Sequence, residues 1–429
     1  MTGTIVLAVF VALVAMIMIN VPIAVALAVA AVIGLVWAEG TSSLVTVALD
    51  MYGGATKFSL IAIPMFVLAG AIMNAAGITR RLIEFVSALI GFVRGGLAMV
   101  NVGVSLFFAE ISGSAVADVA AMGTVMIPEM KKRGYSGPFS AAITSSSASL
   151  AIIIPPSIPM ILYAVSAGTS IEQLFVAGVV PGLIGAGGLM GVAYWFARRY
   201  DLPVEQAFQL RRLRETFVSA LATFALPVII LGGIFGGYVT ATEAAGLAVL
   251  ASILVGLWYR ETDIRELRTA LLDGAMQTAV VMVLVAASVL MGGFLTRSQI
   301  PQDLAASLTA MTDEKWVILA ILNVFFLVIG FFLHSAAAII LVVPIVIPLI
   351  DAVGIDPVHF GLIVTLNLAI GQQTPPVASV LITACSIAKA NIWEVSKVNL
   401  PFVAVLLFVL MLCTYVEPIP MFLVDYFYR

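Results

Sequence analysis

The chain has 429 residues, of which 62% are hydrophobic and 10% charged, with a mean hydropathy of +1.17 and a net charge of −3. Soluble domains carry roughly 25% charged and about 45–50% apolar residues, so a string of soluble domains is excluded. No basic run accompanies the slight negative charge, which excludes nucleic acid as a partner, and Cys385 and Cys413 fit neither a disulfide framework nor a metal cluster.

The composition points to an all-α polytopic membrane protein. A bilayer core of about 30 Å takes ~20 apolar residues of helix. The opening stretch MTGTIVLAVFVALVAMIMIN lacks a basic n-region and a small-residue cleavage site, so 2–19 reads as a retained first span. Further spans are predicted over 22–38, 57–77, 138–164, 172–196, 215–237, 240–259, 271–295, 358–386 and 398–424. That gives about ten transmembrane helices. The apolar stretches 95–130 and 316–350 are long enough for two half-membrane helices each. Both carry small polar residues midway, EISGSA at 110–115 and LHSAAA at 333–338. Each reads as a re-entrant hairpin, preceded by an amphipathic arm at 80–94 or 298–315.

Lys and Arg beside span ends mark the cytoplasmic side. Arg80, Arg81 and Arg94 precede the first hairpin, and Lys131, Lys132 and Arg133 follow it, so its mouth is expected inside. The same count puts Arg198, Arg199, Arg211, Arg212, Arg214, Arg260, Arg265, Arg268, Lys389 and Lys397 inside, and both chain ends outside. The second hairpin is followed by DAVGIDP, which has no cation, so its mouth is expected outside, where Arg297, Lys315 and Lys57 run against the rule.

Two Pro-Pro pairs interrupt apolar stretches, in IIIPPS at 152–157 and QQTPP at 372–376. Within lipid, a helix broken by proline leaves backbone groups that only protein or a cavity can satisfy. The pairs belong to a repeat: Ile127–Pro128, Gly134 and Pro155–Pro156 recur as Ile347–Pro348, Gly354 and Pro375–Pro376, offset by 220 residues throughout. Opposite charge around the two hairpins implies opposite orientation in the membrane. Inverted repeats with discontinuous helices are a signature of secondary transporters, whose site lies between the repeats.

Each break offers carbonyls suited to Na⁺ and N–H groups suited to an anion. Ser112 and Ser114 at the first tip add hydroxyl oxygens, and Asp118 is either an ion- or substrate-site carboxylate or a helix N-terminal one held by the dipole. The stripe TSSSAS at 144–149, with Ser145 and Ser147, reads either as binding surface or as small-residue packing. In the second half Asn367, Gly371, Gln372, Gln373 and Thr374 surround the break, and Asn367 maps onto Ser147 across the pseudo-axis. His334, at the second tip, serves either a structural role or a pH-coupled one, and Glu110 and Glu243 are further acids at membrane depth.

The segment SGSAVADVAAMGTVMIPEMKKRGYSGPFSAAITSSSASLAIIIPPSIPMILYA resembles the large membrane (M) subunit of TRAP transporters, members of the ion transporter superfamily. So does VVPIVIPLIDAVGIDPVHFGLIVTLNLAIGQQTPPVASVLI, and the likeness extends along the whole chain, including SLIAIPMFVLAGAIMNAAGI at 59–78. It implies Na⁺-coupled uptake of a small organic acid, such as a C4-dicarboxylate or sugar acid, across the bacterial inner membrane by an elevator-type motion of a transport domain against a scaffold. The implied partners are a periplasmic substrate-binding protein and a separate small membrane subunit of about four helices, with lipid around both. Organic cofactors and catalytic residues have no place in this scheme. On this pattern 1–56 and 201–270 supply scaffold helices and cytoplasmic linkers, while 57–200 and 271–429 are the inverted repeats.

The resemblance also implies two Na⁺ sites. One involves Ser112, Ser114 and the backbone around Pro155, Pro156 and Ser157; the other involves His334–Ser335 with Gly371 and Thr374. Substrate would lie between tips and breaks, where Asp118, Ser145, Ser147, Asn367 and Gln373 are the candidates. At the second tip this chain has His334 where many relatives carry Asp. A single-component symporter of the same fold, needing no binding protein, is the nearest alternative. The serine of ISGS also raises an intramembrane protease, which would need a general base from His334 or His359, both in the other repeat.

Overall fold

The computed structural model describes every residue other than Met1, Asn20, Pro203, Glu205, Gln206, Arg260, Glu261, Thr262, Asp263, Asp313 and Arg429. Arg260, expected on the inner side, therefore lies outside the described residues. The chain opens with α1 (Thr2–Met18), α2 (Ile23–Glu39) and the short α3 (Leu44–Ala55). The first repeat holds α4 (Ala62–Ala75), α5 (Ile78–Ile90), α6 (Gly96–Ser112), α7 (Ala115–Lys132), α8 (Gly137–Ala148), α9 (Ile158–Ala167) and α10 (Ile171–Arg199). Between the repeats come α11 (Leu210–Ala220), α12 (Ala225–Phe235) and α13 (Ala241–Tyr259). The second repeat holds α14 (Ile264–Arg297), α15 (Ile300–Met311), α16 (Lys315–Phe332), α17 (Ser335–Ala352), α18 (Pro357–Gly371), α19 (Ser379–Ala388), α20 (Ile392–Tyr415) and α21 (Pro418–Tyr428).

The 220-residue offset maps α7 onto α17 residue for residue, and the other elements from α6 to α10 begin within one residue of their counterparts. The local signals repeat as well. Gly134 and Gly354 end α7 and α17 at φ +89° and +67°, a left-handed turn that glycine adopts without strain. The next residues to cap are Ser136, whose hydroxyl accepts from Phe139 N at 3.3 Å, and Asp356, whose Oδ1 accepts from Val358 N at 2.7 Å. Both Pro-Pro bonds are cis.

Among the described residues eight helical segments are long and apolar enough to cross a membrane, fewer than the ten expected. The difference has a physical source. Spans 138–164 and 358–386 are each divided by their Pro-Pro pair into helices too short to cross alone, and α1 and α2 reach only 17 residues. Span 398–424 is likewise two helices, because α20 ends at Tyr415 and α21 restarts at Pro418. The eight include both arms of the second hairpin, α16 and α17. Helix α3 has no counterpart among the predicted spans; its sequence is too short and too polar at DMYGG to read as one. The amphipathic arms 80–94 and 298–315 are present as α5 and α15.

The cations expected outside are engaged by neighbours. Arg297 pairs with Glu39 and Asp50 at 3.3 and 3.2 Å, Lys315 with Glu417 at 2.8 Å, and Lys57 Nζ donates to Val165 O at 3.3 Å. Glu243 closes a capping box at the start of α13: its carboxylate accepts from Thr240 N at 2.8 Å while Thr240 Oγ1 accepts from Glu243 N at 3.3 Å.

Packing interlocks the repeats. Hairpin α6–α7 packs on α8, and α16–α17 on α18, within each repeat. Beyond the break the partners exchange: α9 packs against α17 of the second hairpin, and α19 against α7 of the first. Helix α4 packs chiefly against α13 and α14 and also touches α6 of the first hairpin, and α14 packs on α2, α3 and α17 of the second. The first break rests on a glycine stripe of α10, where Gly178, Gly182 and Gly185 face Ile153, Ile154 and Leu150. At the second break Gly371 meets Gly330 of α16 so closely that a Cβ would sit 2.5 Å from its backbone.

A buried amide ties the second break to the first repeat. Gln373 Nε2 donates to Ser145 O at 2.7 Å and to the Ser149 hydroxyl, and Gln373 Oε1 accepts from Asn399 Nδ2 at 3.3 Å. Ser146 Oγ in turn donates to Asn399 Oδ1 at 2.7 Å. Replacing Gln373 by Leu strands a carbonyl and an amide in the core, so thermal unfolding in detergent should show a loss of about 1–3 kcal/mol. A methyl at Gly178 would lie 2.0 Å from Ile153 O. Gly178→Ala should therefore cost about 1–3 kcal/mol by the same measurement, whereas Gly187→Ala, which meets nothing within 4 Å, should leave the midpoint in place.

Candidate functional site

Each hairpin tip is fastened to its own break by one backbone hydrogen bond. Ile158 N donates to Gly113 O at 3.3 Å, and Val377 N donates to Phe331 O at 3.2 Å. Gly113 turns the first tip at φ +60°, and a Cβ there would approach Pro156 O to 2.8 Å. Glycine is thus required both by the turn and by the closeness of the broken strand of backbone. Ser112 Oγ donates to Asp118 Oδ1 and accepts from Ser114 N at 3.1 Å, so the tip closes on itself. Asp118 is fully buried, and its Oδ2 has no hydrogen-bond partner; neither does Oε2 of Glu110, one turn back along α6. In the second break Thr374 Oγ1 donates to Ile370 O at 3.2 Å, and Ser379 Oγ donates to Gln372 Oε1 at 3.2 Å.

Both tips and both breaks open on one cavity of about 770 Å³. Its wall includes the starts of four helices: the N-cap Ser114 with Ala115–Ala117 of α7, Ile158 and Pro159 of α9, Ser335–Ala337 of α17, and Ser379 of α19, with Thr383 one turn further on. The first turn of a helix leaves N–H groups without intrahelical partners and carries partial positive charge. At α9 these groups are already engaged, Ile158 N by Gly113 O and Met160 N by the Ser157 hydroxyl, and Pro159 has none. The ends of α7, α17 and α19 therefore make the cavity attractive to an anion, with no Lys or Arg among its lining residues. His334, the N-cap position of α17, also lines the cavity and makes no side-chain capping bond. The facing wall is apolar apart from Gln277 of α14: Pro22–Ala24 ahead of and within α2, Val67 of α4, and Met276, Val280, Val281 and Leu284 of α14.

Of the residues read from sequence as cation ligands, the structure gathers Ser112, Ser114, Pro155 and Pro156 at the first tip and break. Ser335 lies on the cavity wall at the second tip, with Gly371 and Thr374 in the adjoining break. The five substrate candidates stand behind the wall, and none lines the cavity. Asp118 is held by Ser112. Ser145 Oγ donates to Ala142 O at 3.0 Å, and Gln373 belongs to the inter-repeat network described above. Ser147 and Asn367 do not bond each other. Ser147 Oγ donates to Asn101 Oδ1 at 3.0 Å and accepts from Ser105 at 2.8 Å, while Asn367 Nδ2 donates to Asn323 Oδ1 at 2.7 Å. Each fixes the broken helix of one repeat to the hairpin of that same repeat.

Sequence reasoning passed over Ser379, Thr383 and Gln277, which do line the cavity. Ser379 and Thr383 carry a readable signal, a polar pair at i and i+4 directly after the Pro-Pro break. Gln277 has none, because an amide in a long apolar helix gives no sign of which face it takes. The serine of ISGS is bonded to a carboxylate, and His359 Nε2 is engaged with Cys413 O at 2.7 Å.

Residues 10–419 match the family described as Tripartite ATP-independent periplasmic transporter, DctM component. The chain is 41% identical over 409 residues to the isethionate TRAP transporter permease protein DctMQ of Oleidesulfovibrio alaskensis, covering 94% of this chain and 64% of that one. It thus spans just under two thirds of that relative. It is 38% identical over 378 residues to the C4-dicarboxylate TRAP transporter large permease protein DctM of Pseudomonas aeruginosa, covering 88% of each. To the sialic acid TRAP transporter large permease protein SiaM of Vibrio cholerae it is 37% identical over 368 residues, covering 85% of each. In fold it is similar to the solved YdaH transporter of Alcanivorax borkumensis, with a TM-score of 0.64 over 89% of this chain and 90% of that one, at 16% identity. This chain, a multi-pass protein of the bacterial inner membrane, belongs to the DctM family of tripartite ATP-independent periplasmic transporters.

Proposed function

We propose that this chain is the membrane-embedded importer of a Na⁺-coupled tripartite system that takes up a small organic anion. The observation that carries the reading is the convergence of four helix N-termini, three of them with unpaired first-turn N–H groups, on a cavity of about 770 Å³ with no Lys or Arg in its wall. Backbone N–H groups hold an anion there with less attraction than a guanidinium would exert, which suits a site that must release its cargo. Similarity to permeases named for isethionate, C4-dicarboxylates and sialic acid, all organic anions, supports the substrate class. It also supports delivery by a periplasmic binding protein and work beside a small membrane subunit of about four helices.

Charge supports Na⁺ coupling. Asp118 is fully buried with one unpartnered oxygen, beside Ser112 and within reach of the first tip and break. An isolated carboxylate in such a place is costly unless a cation balances it. Na⁺ near Ser112, Ser114 and the Pro155–Pro156 carbonyls would supply that charge, and a second would sit by Ser335, Gly371 and Thr374. In this reading Asp118 balances a cation and does not touch the substrate. The interlocked hairpins and broken helices move as a transport body against α2, α4, α13 and α14 as scaffold, the elevator arrangement; the apolar scaffold wall offers a surface along which the loaded body slides.

Proteoliposomes holding the chain with its small subunit should accumulate the anion only when an inward Na⁺ gradient and the cognate binding protein are both supplied. Uptake of free substrate without the binding protein would instead identify a single-component symporter. Ser112→Ala, Asp118→Asn and Thr374→Ala should each raise the Na⁺ concentration for half-maximal uptake about five- to tenfold, the size of one hydrogen bond or ion contact, while leaving membrane insertion intact. Unchanged Na⁺ dependence in all three would overturn the cation assignment.

A further inference from the structure

A second cavity of about 650 Å³ adjoins the first. The two share Val67, Ala117, Ala120 and Gln277, and of these four only Gln277 is polar. Its side-chain amide makes no hydrogen bond with the other described residues. Helix α14 changes character at this point. Toward its C-terminus Val280, Val281 and Leu284 face the first cavity. Toward its N-terminus Asp273, Thr269 and Arg265 line the second, at four-residue intervals that keep them on one face. That polar stripe runs about 18 Å along the helix from Gln277 to Arg265. Asn74 of α4 and Ser112 of α6 face it. The opposite end of the molecule is constricted. There a separate cavity of about 180 Å³ shares no lining residue with the first, and Lys57 Nζ joins the start of the α4 segment to Val165 O of α9.

We propose that the α14 stripe is the route by which the anion leaves, and that Gln277 is the positioning residue at its neck. The amide N–H₂ takes the anionic head as it parts from the helix ends and hands it to the polar vestibule ending at Arg265. By the distribution of Lys and Arg this vestibule faces the cytoplasm. The assignment rests on the transport reading above, but its test needs no transported substrate.

The probe is 2-sulfonatoethyl methanethiosulfonate, a membrane-impermeant organic anion that modifies thiols. Ser114→Cys places a reporter thiol in the first cavity, and the parent chain, with Cys385 and Cys413 buried, gives the background. In inside-out vesicles the reporter should be modified faster than in right-side-out vesicles. Adding Gln277→Leu should slow that reaction at least about tenfold, as expected for one lost hydrogen bond to a charged group. A neutral methanethiosulfonate of similar size should be slowed less than about twofold, because Leu and Gln are close in bulk, and Gln277→Asn should restore most of the anion's rate. Faster modification from the outer face would overturn the route. An anion rate unchanged by Gln277→Leu, or equal slowing of the neutral reagent, would overturn the role of the amide. A chain that fails to accumulate any anion in proteoliposomes would refute the transport reading while leaving both labelling results readable.

Discussion

The structure depends on the rule that backbone polar groups in a membrane must find partners within the protein. Two helices are cut at Pro-Pro, and each cut exposes carbonyls on one side and N–H groups on the other. The hairpin tips exist to meet those cuts: Gly113 O takes the proton of Ile158 N, and Phe331 O that of Val377 N. What the tips leave unpaired, chiefly the first-turn N–H groups of α7, α17 and α19, is gathered onto one cavity. In the proposed reading, the affinity for an anion is what an incompletely satisfied backbone leaves over.

The same rule explains where polar side chains went. Asn101, Ser105, Asn323 and Asn399 are almost wholly buried, and each is hydrogen-bonded to a residue of a broken helix or of the second break. Their work is to hold the breaks in register with the tips. Polar groups in a span are expensive without partners and are therefore placed where two elements must not slip. Around the ends of α7 and α17 the cavity wall is built mostly from small residues, Gly113, Ser114, Ala115, Ala117, Ser335, Ala336 and Ala337, because backbone ends reach a ligand only where side chains do not stand in the way.

Much of this was legible in the sequence. The offset shared by Ile127–Pro128, Gly134 and Pro155–Pro156 with Ile347–Pro348, Gly354 and Pro375–Pro376 locates hairpins and breaks within a residue or two, because proline and glycine act through local backbone geometry. The exchange of partners between α9 and α19 was not legible: a ten-residue apolar helix carries no label for the surface it packs on. Serine, asparagine and glutamine near the breaks were equally ambiguous, since a hydroxyl or amide that binds cargo and one that pins a helix look alike in one dimension. Ser145, Ser147, Asn367 and Gln373 proved to sit behind the wall, while Ser379 and Thr383 stand on it. Only the direction of a side chain separates the two cases.

The exchange of partners also constrains biosynthesis. Helix α9 packs on α17, which the ribosome makes much later; at about 5–20 residues per second the wait is on the order of 10–30 s. During that interval the first repeat has its break but lacks the surface that receives the far side of it. A ten-residue helix cannot cross the bilayer alone, so the nascent first half must be sheltered by the insertion machinery or lie at the interface until the second half arrives. Neither repeat can mature first, and quality control in the cell would therefore judge the two halves together.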